Sequence, residues 1–218
     1  MKPLKTESQD AETLRDLGSA SVQIVHDLKN QLNGLKLYAT FLRKRMEKSE
    51  RPADELETIT KLISGLERAA ADMTVLVRFG RTLELRRQAG TDLSRLLADS
   101  ADGARVEADG GPFEGDFDPV LLAEALKSIT AGGRVEAAAG GEDSGALVRL
   151  RRDGEGALVE WAGVAVTEAE GDPFRSLAGA AGLRLALAAK VIRAHGGEVT
   201  SGGGVLRARL PLAAGLKS

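Results

Sequence analysis

The sequence predicts an α+β protein in which an N-terminal hairpin of two long helices precedes an α/β domain. Up to about Leu85, glycine and proline are almost absent and the apolar residues follow helical spacing. Beyond about Gly90, glycine becomes frequent and short strand-like runs alternate with helical ones. We therefore predict a helical hairpin over residues 1–88 and an α/β domain over residues 89–218.

Both predicted helices of the hairpin carry apolar residues in steps of three and four. In the first helix one phase slip, a stutter, falls beside His26. A turn is predicted over residues 48–52, and Pro52 suits the start of the second helix. The positions of the first helix that follow this spacing are Leu14, Leu17, Ser21, Ile24, Leu28, Leu32, Leu35, Ala39, Leu42 and Met46, all of them apolar except Ser21. Those of the second helix form a heptad seam of Leu56, Ile59, Ile63, Leu66, Ala70, Met73 and Val77.

Two antiparallel helices of this length cannot bury both apolar seams against each other alone. Pairing with a second copy into a four-helix bundle buries them, so we expect a homodimer. The alternative is a monomeric hairpin that packs on its own C-terminal domain.

The second half is predicted to contain three helices and five strands. The helices are expected over residues 92–101, 119–129 and 183–195, with Thr91 as the first N-cap and Gly196–Gly197 ending the third. The strands are expected over residues 135–138, 146–151, 157–161, 198–201 and 205–210, the last two as a hairpin. We place His195 in the last helical turn, with no acidic neighbour and no role in the chemistry.

The run Val25-His26-Asp27-Leu28-Lys29-Asn30-Gln31-Leu32 is the most informative segment of the chain. On a straight helix His26 points almost directly away from the apolar stripe, so its imidazole is predicted to stand in water. The stripe consists of Leu17, Ile24, Leu28, Leu35 and Leu42, and the polar residues on the side of His26 are Gln23, Lys29, Asn30 and Asn33.

A solvent-facing histidine on a helix usually has no function, but the neighbours of His26 suit chemistry. Imidazole is a nucleophile near neutral pH because a useful fraction is uncharged there. Asp27 can polarise the ring or take its proton. Lys29 can neutralise incoming negative charge, and Asn30, at i+4, can orient a water molecule or a phosphoryl oxygen.

Composition excludes several classes of site. The chain of 218 residues is 43% hydrophobic and 28% charged, with a formal net charge of −2, which gives no case for a nucleic-acid partner. It has no cysteine and two histidines, so disulfides, thiolate chemistry and histidine metal clusters are excluded. Without a long apolar stretch or a signal-like N-terminus, we expect no membrane association and a cytoplasmic location.

The order of these parts resembles the catalytic core of bacterial sensor histidine kinases over about residues 10–212. The resemblance rests on His26–Asn30 in a helical hairpin, followed by Gly182–Ala188, Ala194–Gly197 and the final Leu210-Pro211. It implies a dimerisation and phosphoacceptor hairpin followed by a histidine-kinase-like α/β sandwich ATPase domain. It also implies that His26 is phosphorylated, that Asp27 assists transfer and that Asn30 serves dephosphorylation. The proline that the family often has five residues after the histidine is Gln31 here.

The resemblance fails where the family binds ATP, so the ATPase domain is degenerate. The family's two asparagines, the second of which helps to hold magnesium, correspond to Ser128 and Gly132. The aspartate that recognises adenine corresponds to Trp161, and a glycine near the phosphates corresponds to Arg184. Between Gly163 and Gly182 little chain remains for a lid over a nucleotide.

A retained phosphoacceptor and a lost ATP site predict a histidine phosphotransferase of a two-component phosphorelay. It would need no cofactor of its own and would exchange phosphoryl groups with response-regulator receiver domains, which carry the Mg²⁺. In such a transfer the histidine protein supplies an oriented nucleophile and a docking surface. The alternatives are an ATP-dependent kinase with a divergent nucleotide site, and a scaffold or phosphatase that acts on a receiver through Asn30.

Overall fold

The computed structural model describes residues 4–47, 53–101, 103–137, 147–162, 172–177 and 179–213. The chain forms two compact units, residues 1–82 and 83–218. Within the described ranges, no helix combines the length and the apolar character that crossing a bilayer requires.

The first unit is a hairpin of two helices, α1 (Leu4–Met46) and α2 (Ala53–Gly80). The predicted turn over residues 48–52 lies outside the described residues. The heptad seam of α2 is buried at Ile59, Ile63 and Val77, as its spacing predicts. The side of α1 that meets α2 is marked by Ala39, which is buried.

The second unit is a two-layer α/β structure. Its elements are β1 (Gln88–Asp92), α3 (Leu93–Ser100), β2 (Arg105–Asp109), β3 (Glu114–Phe117), α4 (Pro119–Ala137), β4 (Leu147–Asp153), β5 (Gly156–Ala162), α5 (Gly179–Ala194), β6 (Glu198–Gly202) and β7 (Val205–Pro211). Strands β1 and β3 form a small antiparallel sheet, and the other five form a mixed sheet in the order β2-β4-β5-β7-β6. The α+β class predicted from the sequence is confirmed.

Alternation of apolar and polar residues along the strands of the larger sheet gives it one buried face. Along β4 and β5, Val148, Leu150, Val159 and Trp161 are inaccessible to solvent and belong to the core that the helices cover. Trp161 is the largest of these buried side chains.

The other face of this sheet is charged. The strand register places Glu107, Arg149, Glu160 and Arg207 side by side across β2, β4, β5 and β7, so the row alternates acidic and basic groups. Arg207 Nε lies 2.9 Å from Glu160 Oε1, and Arg149 Nε lies 3.6 Å from Glu107 Oε2. The hydrogen bond from Arg207 lowers the pKa of Glu160 below its ordinary value against the opposing effect of burial, and Arg151 adds to the lowering.

Three details of the second unit differ from the sequence predictions. Residues 135–137, expected in a strand, continue α4 past Gly132, because α4 packs along α5 and this packing outweighs the low helix propensity of glycine. The N-cap of α3 is Asp92, whose carboxylate accepts the Ser94 N–H at 2.9 Å, whereas the Thr91 hydroxyl donates to the Gln88 carbonyl. Strands β1, β2 and β3 were not predicted.

Candidate functional site

The four predicted site residues lie in the middle of α1, where the helix packs along α2. Val22, one turn before His26, packs at Gly80 of α2, where there is no room for a side chain. Val25 and Leu32 are half-buried on the same side of α1 as Ala39. Helix α2 thus supports α1 along the flank next to His26, about 40–120° round the helix from it.

The imidazole of His26 is partly exposed and has two polar neighbours on one nitrogen. Its Nδ1 lies 3.5 Å from Asp27 Oδ1 and 3.4 Å from Asn30 Nδ2. The side chain of His26 is 46% exposed and that of Asp27 60%. Asn30 reaches the ring because residues four apart are neighbours on a helix surface. With Nδ1 engaged by these two side chains, Nε2 is the ring nitrogen left to meet a substrate.

Lys29 lies about 60° round the helix from His26, on the side that turns towards α2, and it is half-buried. One heptad further on, Lys36 makes the cross-helix contact, with its Nζ 2.8 Å from Glu67 Oε1. The hydrogen bond from Lys36 lowers the pKa of Glu67 below its ordinary value. The structure therefore brings Asp27 and Asn30 to the imidazole and places Lys29 beside them, closer to the helix interface.

From Ile24 to Leu42, the apolar stripe opposite His26 is exposed in the single chain. Ile24 is 65% exposed, Leu35 54% and Leu42 51%. These side chains lie about 160–180° round the helix from His26, whereas α2 covers the side near Ala39. The hairpin alone thus leaves this stripe without a covering helix.

A second exposed apolar group was missed from the sequence. Leu37 and Tyr38 are each 69% exposed, and Phe41 is 65% exposed. By helix geometry Leu37 lies about 20° and Phe41 about 60° round from His26, so they share its side of α1. We call Leu37, Tyr38 and Phe41 the outer patch. The sequence signal that could have revealed this patch is that three large apolar residues lie close together outside the main stripe.

In the second unit, α4 and α5 are in direct contact where the family's second asparagine would lie. A Cβ atom on Gly132 would lie 3.1 Å from Leu185 Cδ2 and 3.4 Å from Cδ1. Leu185 is itself buried. The Ser128 hydroxyl, at the position of the first asparagine, donates to the Glu124 carbonyl within α4 at 2.8 Å. Neither position offers a side-chain amide, and a side chain at the second would be in tight contact with Leu185.

Trp161 fills the position where the family's adenine-recognising aspartate would lie. It is fully buried in β5, and its indole Nε1–H donates to Thr130 Oγ1 of α4 at 3.0 Å. The Thr130 hydroxyl in turn donates to the Leu126 carbonyl at 3.0 Å. Since an indole has no acceptor, it cannot receive an amino-group hydrogen bond.

The segment 172–177 lies against the start of α5. A Cβ on Gly182 would be 3.0 Å from the Ser176 carbonyl oxygen and 3.1 Å from its hydroxyl. Phe174 anchors the segment in the core, and Asp172 Oδ1 accepts the Phe174 N–H at 3.0 Å. Gly182 thus permits a close contact within the chain. Residues 163–171 and 178, about half of the stretch expected to be too short for a lid, lie outside the described residues.

His195 follows the end of α5, and the prediction that it has no acidic neighbour is wrong. The residue is 1% exposed, its Nδ1–H donates to the Val191 carbonyl at 2.8 Å, and its Nε2 accepts the Asp118 N–H at 3.0 Å. Burial lowers the pKa of His195, against the opposing effect of the Val191 hydrogen bond. The sequence did not show this neighbour because Asp118 precedes His195 by 77 residues.

Asp118 connects three parts of the second unit. Its carboxylate accepts the N–H groups of Val120 and Leu121, which caps α4, and that of Arg86 at 2.8 Å. Burial raises the pKa of Asp118, but the hydrogen bonds from Leu121, Arg86 and Val120 outweigh burial and hold that pKa below its ordinary value. His195 and Asp118 therefore form a structural junction, which leaves His26 as the histidine open to a reaction partner.

No family model matches the sequence, and no curated protein matches it. Solved structures do match. ShkA, solved at full length in complex with AMPPNP, matches with a TM-score of 0.65 and 18% identity, covering 88% of this chain and 45% of that chain. The fold is that of a histidine kinase core.

The histidine kinase ThkA, solved in complex with the response regulator protein TrrA, matches with a TM-score of 0.58 and 16% identity. The match covers 96% of this chain and 66% of that chain. This chain thus spans under half the length of ShkA and about two thirds of that of ThkA. The resemblance inferred from the sequence is confirmed at the level of the histidine-kinase-like core and its α+β fold.

Proposed function

We propose that this protein is a histidine phosphotransferase that passes phosphoryl groups between His26 and the aspartates of response-regulator receiver domains without using ATP. The single observation that carries the proposal is a contrast. His26 stands partly exposed with Asp27 and Asn30 at its Nδ1, whereas a buried Trp161 replaces the aspartate expected to recognise adenine and Leu185 packs on Gly132, which replaces the second asparagine.

The exposed stripe of α1 supports a homodimer as the working form. Ile24, Leu28, Leu35 and Leu42 all remain exposed in one chain. A second hairpin laid on this stripe would complete a four-helix bundle and remove these side chains from water. His26, on the opposite side of α1, would then face outwards from the bundle.

The outer patch supports a protein partner for His26. Leu37 and Phe41 lie about 100° or more round α1 from the stripe that we assign to the second copy, and they also point away from α2, so dimerisation would leave them exposed. Tyr38 lies between them and the stripe. They begin about 16 Å along the helix axis from His26, which is within the width of a small domain. We expect a receiver domain that presents its aspartate to His26 to cover this patch. ThkA, one of the matching kinases, was solved with its response regulator.

The chemistry asked of the chain is positioning and charge stabilisation. Nε2 of His26 attacks the phosphorus atom, and Asp27 holds the Nδ1–H while positive charge develops on the ring. The receiver would supply the phosphorylated aspartate and the Mg²⁺. Lys29 lies close enough along α1 to reduce the repulsion between an incoming phosphoryl group and Asp27.

An ATP-dependent histidine kinase is the second candidate, and the match to ShkA in its AMPPNP complex is the observation that favours it. One experiment separates the two. The full chain is incubated with labelled Mg-ATP and, separately, with a phosphorylated receiver domain, and phosphohistidine is then measured. We expect label from the receiver only, and none on a His26→Ala variant. Label from Mg-ATP would establish the kinase, and label from neither source would leave a scaffold or phosphatase role.

A further inference from the structure

Asp27 and Asn30 contact the same atom of His26 with opposite hydrogen-bonding chemistry. The carboxylate oxygen of Asp27 lies 3.5 Å from Nδ1, and the amide nitrogen of Asn30 lies 3.4 Å from it. The carboxylate only accepts hydrogen bonds, whereas the amide nitrogen only donates them. The two distances are nearly equal, so geometry alone favours neither partner.

A neutral imidazole cannot satisfy both partners at once. One ring nitrogen carries a hydrogen and the other carries a lone pair. A hydrogen-bond partner of one nitrogen therefore decides whether the other nitrogen carries the hydrogen or the lone pair. When Asp27 accepts from Nδ1–H, the lone pair is on Nε2. When Asn30 donates to Nδ1, the lone pair is on Nδ1 and Nε2 carries the hydrogen.

We propose that Asn30 is a positioning residue that limits the nucleophilicity of His26 by competing with Asp27 for Nδ1. The inference rests on the proposed function, because it concerns the same nitrogen that would receive the phosphoryl group. The ring bound to Asp27 is competent, because its Nε2 lone pair faces the partner. The ring bound to Asn30 is a resting form, because its Nε2–H cannot attack.

The transfer step is balanced in the competent form. The Nε2 lone pair forms the new N–P bond, the P–O bond to the receiver aspartate breaks, and its electron pair stays on that carboxylate. The proton on Nδ1 remains hydrogen-bonded to Asp27, which stabilises the positive charge of the ring. Return of the phosphoryl group to a receiver reverses these changes. Asn30 therefore takes no part in bond formation and acts through the fraction of His26 that is competent.

The first test does not need a receiver. Nitrogen-15 NMR of the full chain measures the fraction of His26 that carries its proton on Nδ1. Asn30→Ala should raise this fraction and Asp27→Ala should lower it. Asn33→Ala, two turns from His26 on the same side of α1, is the matched control and should change nothing. An unchanged fraction in Asn30→Ala overturns the proposal. So does a reduced fraction, which would mean that Asn30 presents its amide oxygen to Nδ1–H.

The second test compares rates. Phosphoryl uptake from a phosphorylated receiver should rise in Asn30→Ala by the same factor as the Nδ1–H fraction, about twofold if the two forms are equally populated in the parent protein. A rate that falls, or that rises while the NMR fraction is constant, overturns the inference. Failure of the parent protein to exchange phosphoryl groups with any receiver would instead defeat the proposed function, and the NMR result would still decide the role of Asn30.

Discussion

The indole N–H of Trp161 donates to the hydroxyl of Thr130 at 3.0 Å inside the core, and this bond ties β5 to α4. The same two elements carry the positions expected to hold adenine and magnesium. Here the two elements are joined by the buried pair of Trp161 and Thr130, whose hydrogen bonds are satisfied within the protein.

Trp161→Phe should lower the free energy of unfolding by about 1–2 kcal/mol, because the ring remains but the hydroxyl of Thr130 loses a donor. Trp161→Ala should cost about 3–5 kcal/mol through the cavity that it leaves. Denaturant unfolding of the full chain measures both. Combining Trp161→Phe with Thr130→Val should recover part of the loss, and strictly additive effects would show that the bond contributes nothing.

Mg-ATP should neither bind to the chain nor stabilise it. A side chain at Gly132 would meet Leu185, and Trp161 offers no acceptor to an amino group. A ligand present at 100 times its dissociation constant stabilises the folded state by about 2.7 kcal/mol. Thermal unfolding in millimolar Mg-ATP should thus match unfolding in Mg²⁺ alone, and calorimetric titration should show no heat of binding. A micromolar dissociation constant would restore the kinase interpretation.

Leu35→Glu should convert the dimer to a monomer, because it places a charge in the stripe that we assign to the second copy. Leu37→Glu is the matched control, with the same substitution two residues along on the outward side. Sedimentation velocity of the full chains measures both masses. A parent chain that sediments as a monomer would disprove the dimer.

Leu37→Glu should nevertheless slow phosphoryl transfer from a receiver by about tenfold or more, since an apolar contact of the outer patch is replaced by a charge. Its far-ultraviolet circular dichroism should match that of the parent chain. Normal transfer rates in both Leu37→Glu and Phe41→Glu would show that the receiver does not use this patch.

The fold was predictable where the apolar period is long and regular. The seam of α2 spans many turns, and its buried residues follow the heptad pattern. Strands β1, β2 and β3 have five, five and four residues, and each carries at most two apolar side chains, too few for a period to stand out. Their conformation depends on partners distant in sequence, such as β4 for β2, so local pattern did not reveal them.

The candidate site shows the same division. The i, i+4 relation of His26 and Asn30 follows from helix geometry alone, so the sequence predicted their shared side. It did not predict that Asp27 and Asn30 would meet at one nitrogen, because this depends on rotamers. The acidic neighbour of His195 was missed for another reason: it comes from the start of α4, which only the tertiary fold brings to the end of α5.

His26→Ala should abolish phosphoryl exchange and leave the free energy of unfolding within about 0.5 kcal/mol of the parent value, since the side chain is partly exposed. His195→Ala should leave exchange intact at temperatures where the protein is folded, but should cost about 2–4 kcal/mol of stability through lost packing and an unsatisfied Asp118 N–H. Radiolabel transfer and denaturant unfolding measure the two effects. Label on the His26→Ala protein would contradict the assignment.

The free energy of unfolding should fall as the pH drops below about 6.5, the ordinary pKa of histidine. Burial lowers the pKa of His195 in the folded state, so as the pH falls the unfolded chain takes up this proton at a higher pH than the folded chain does. The free energy of unfolding therefore declines, by at most about 1.4 kcal/mol per pH unit. Denaturant titrations between pH 8 and pH 5 give the slope. His195→Gln can still donate to Val191 and accept from Asp118, and it should reduce the dependence of the free energy of unfolding on pH. An equal slope in this variant would show that another group causes the pH dependence.

The alternating row of Glu107, Arg149, Glu160 and Arg207 has a consequence for assembly of the sheet. Sliding β5 by one residue against its neighbours would remove Glu160 from between two arginines and would turn Trp161 out of the core. The charged face thus favours the native strand alignment, and a misaligned strand would lose ion pairs in a row that spans four strands. The charged row therefore contributes to the choice of strand register during folding as well as to the stability of the finished sheet.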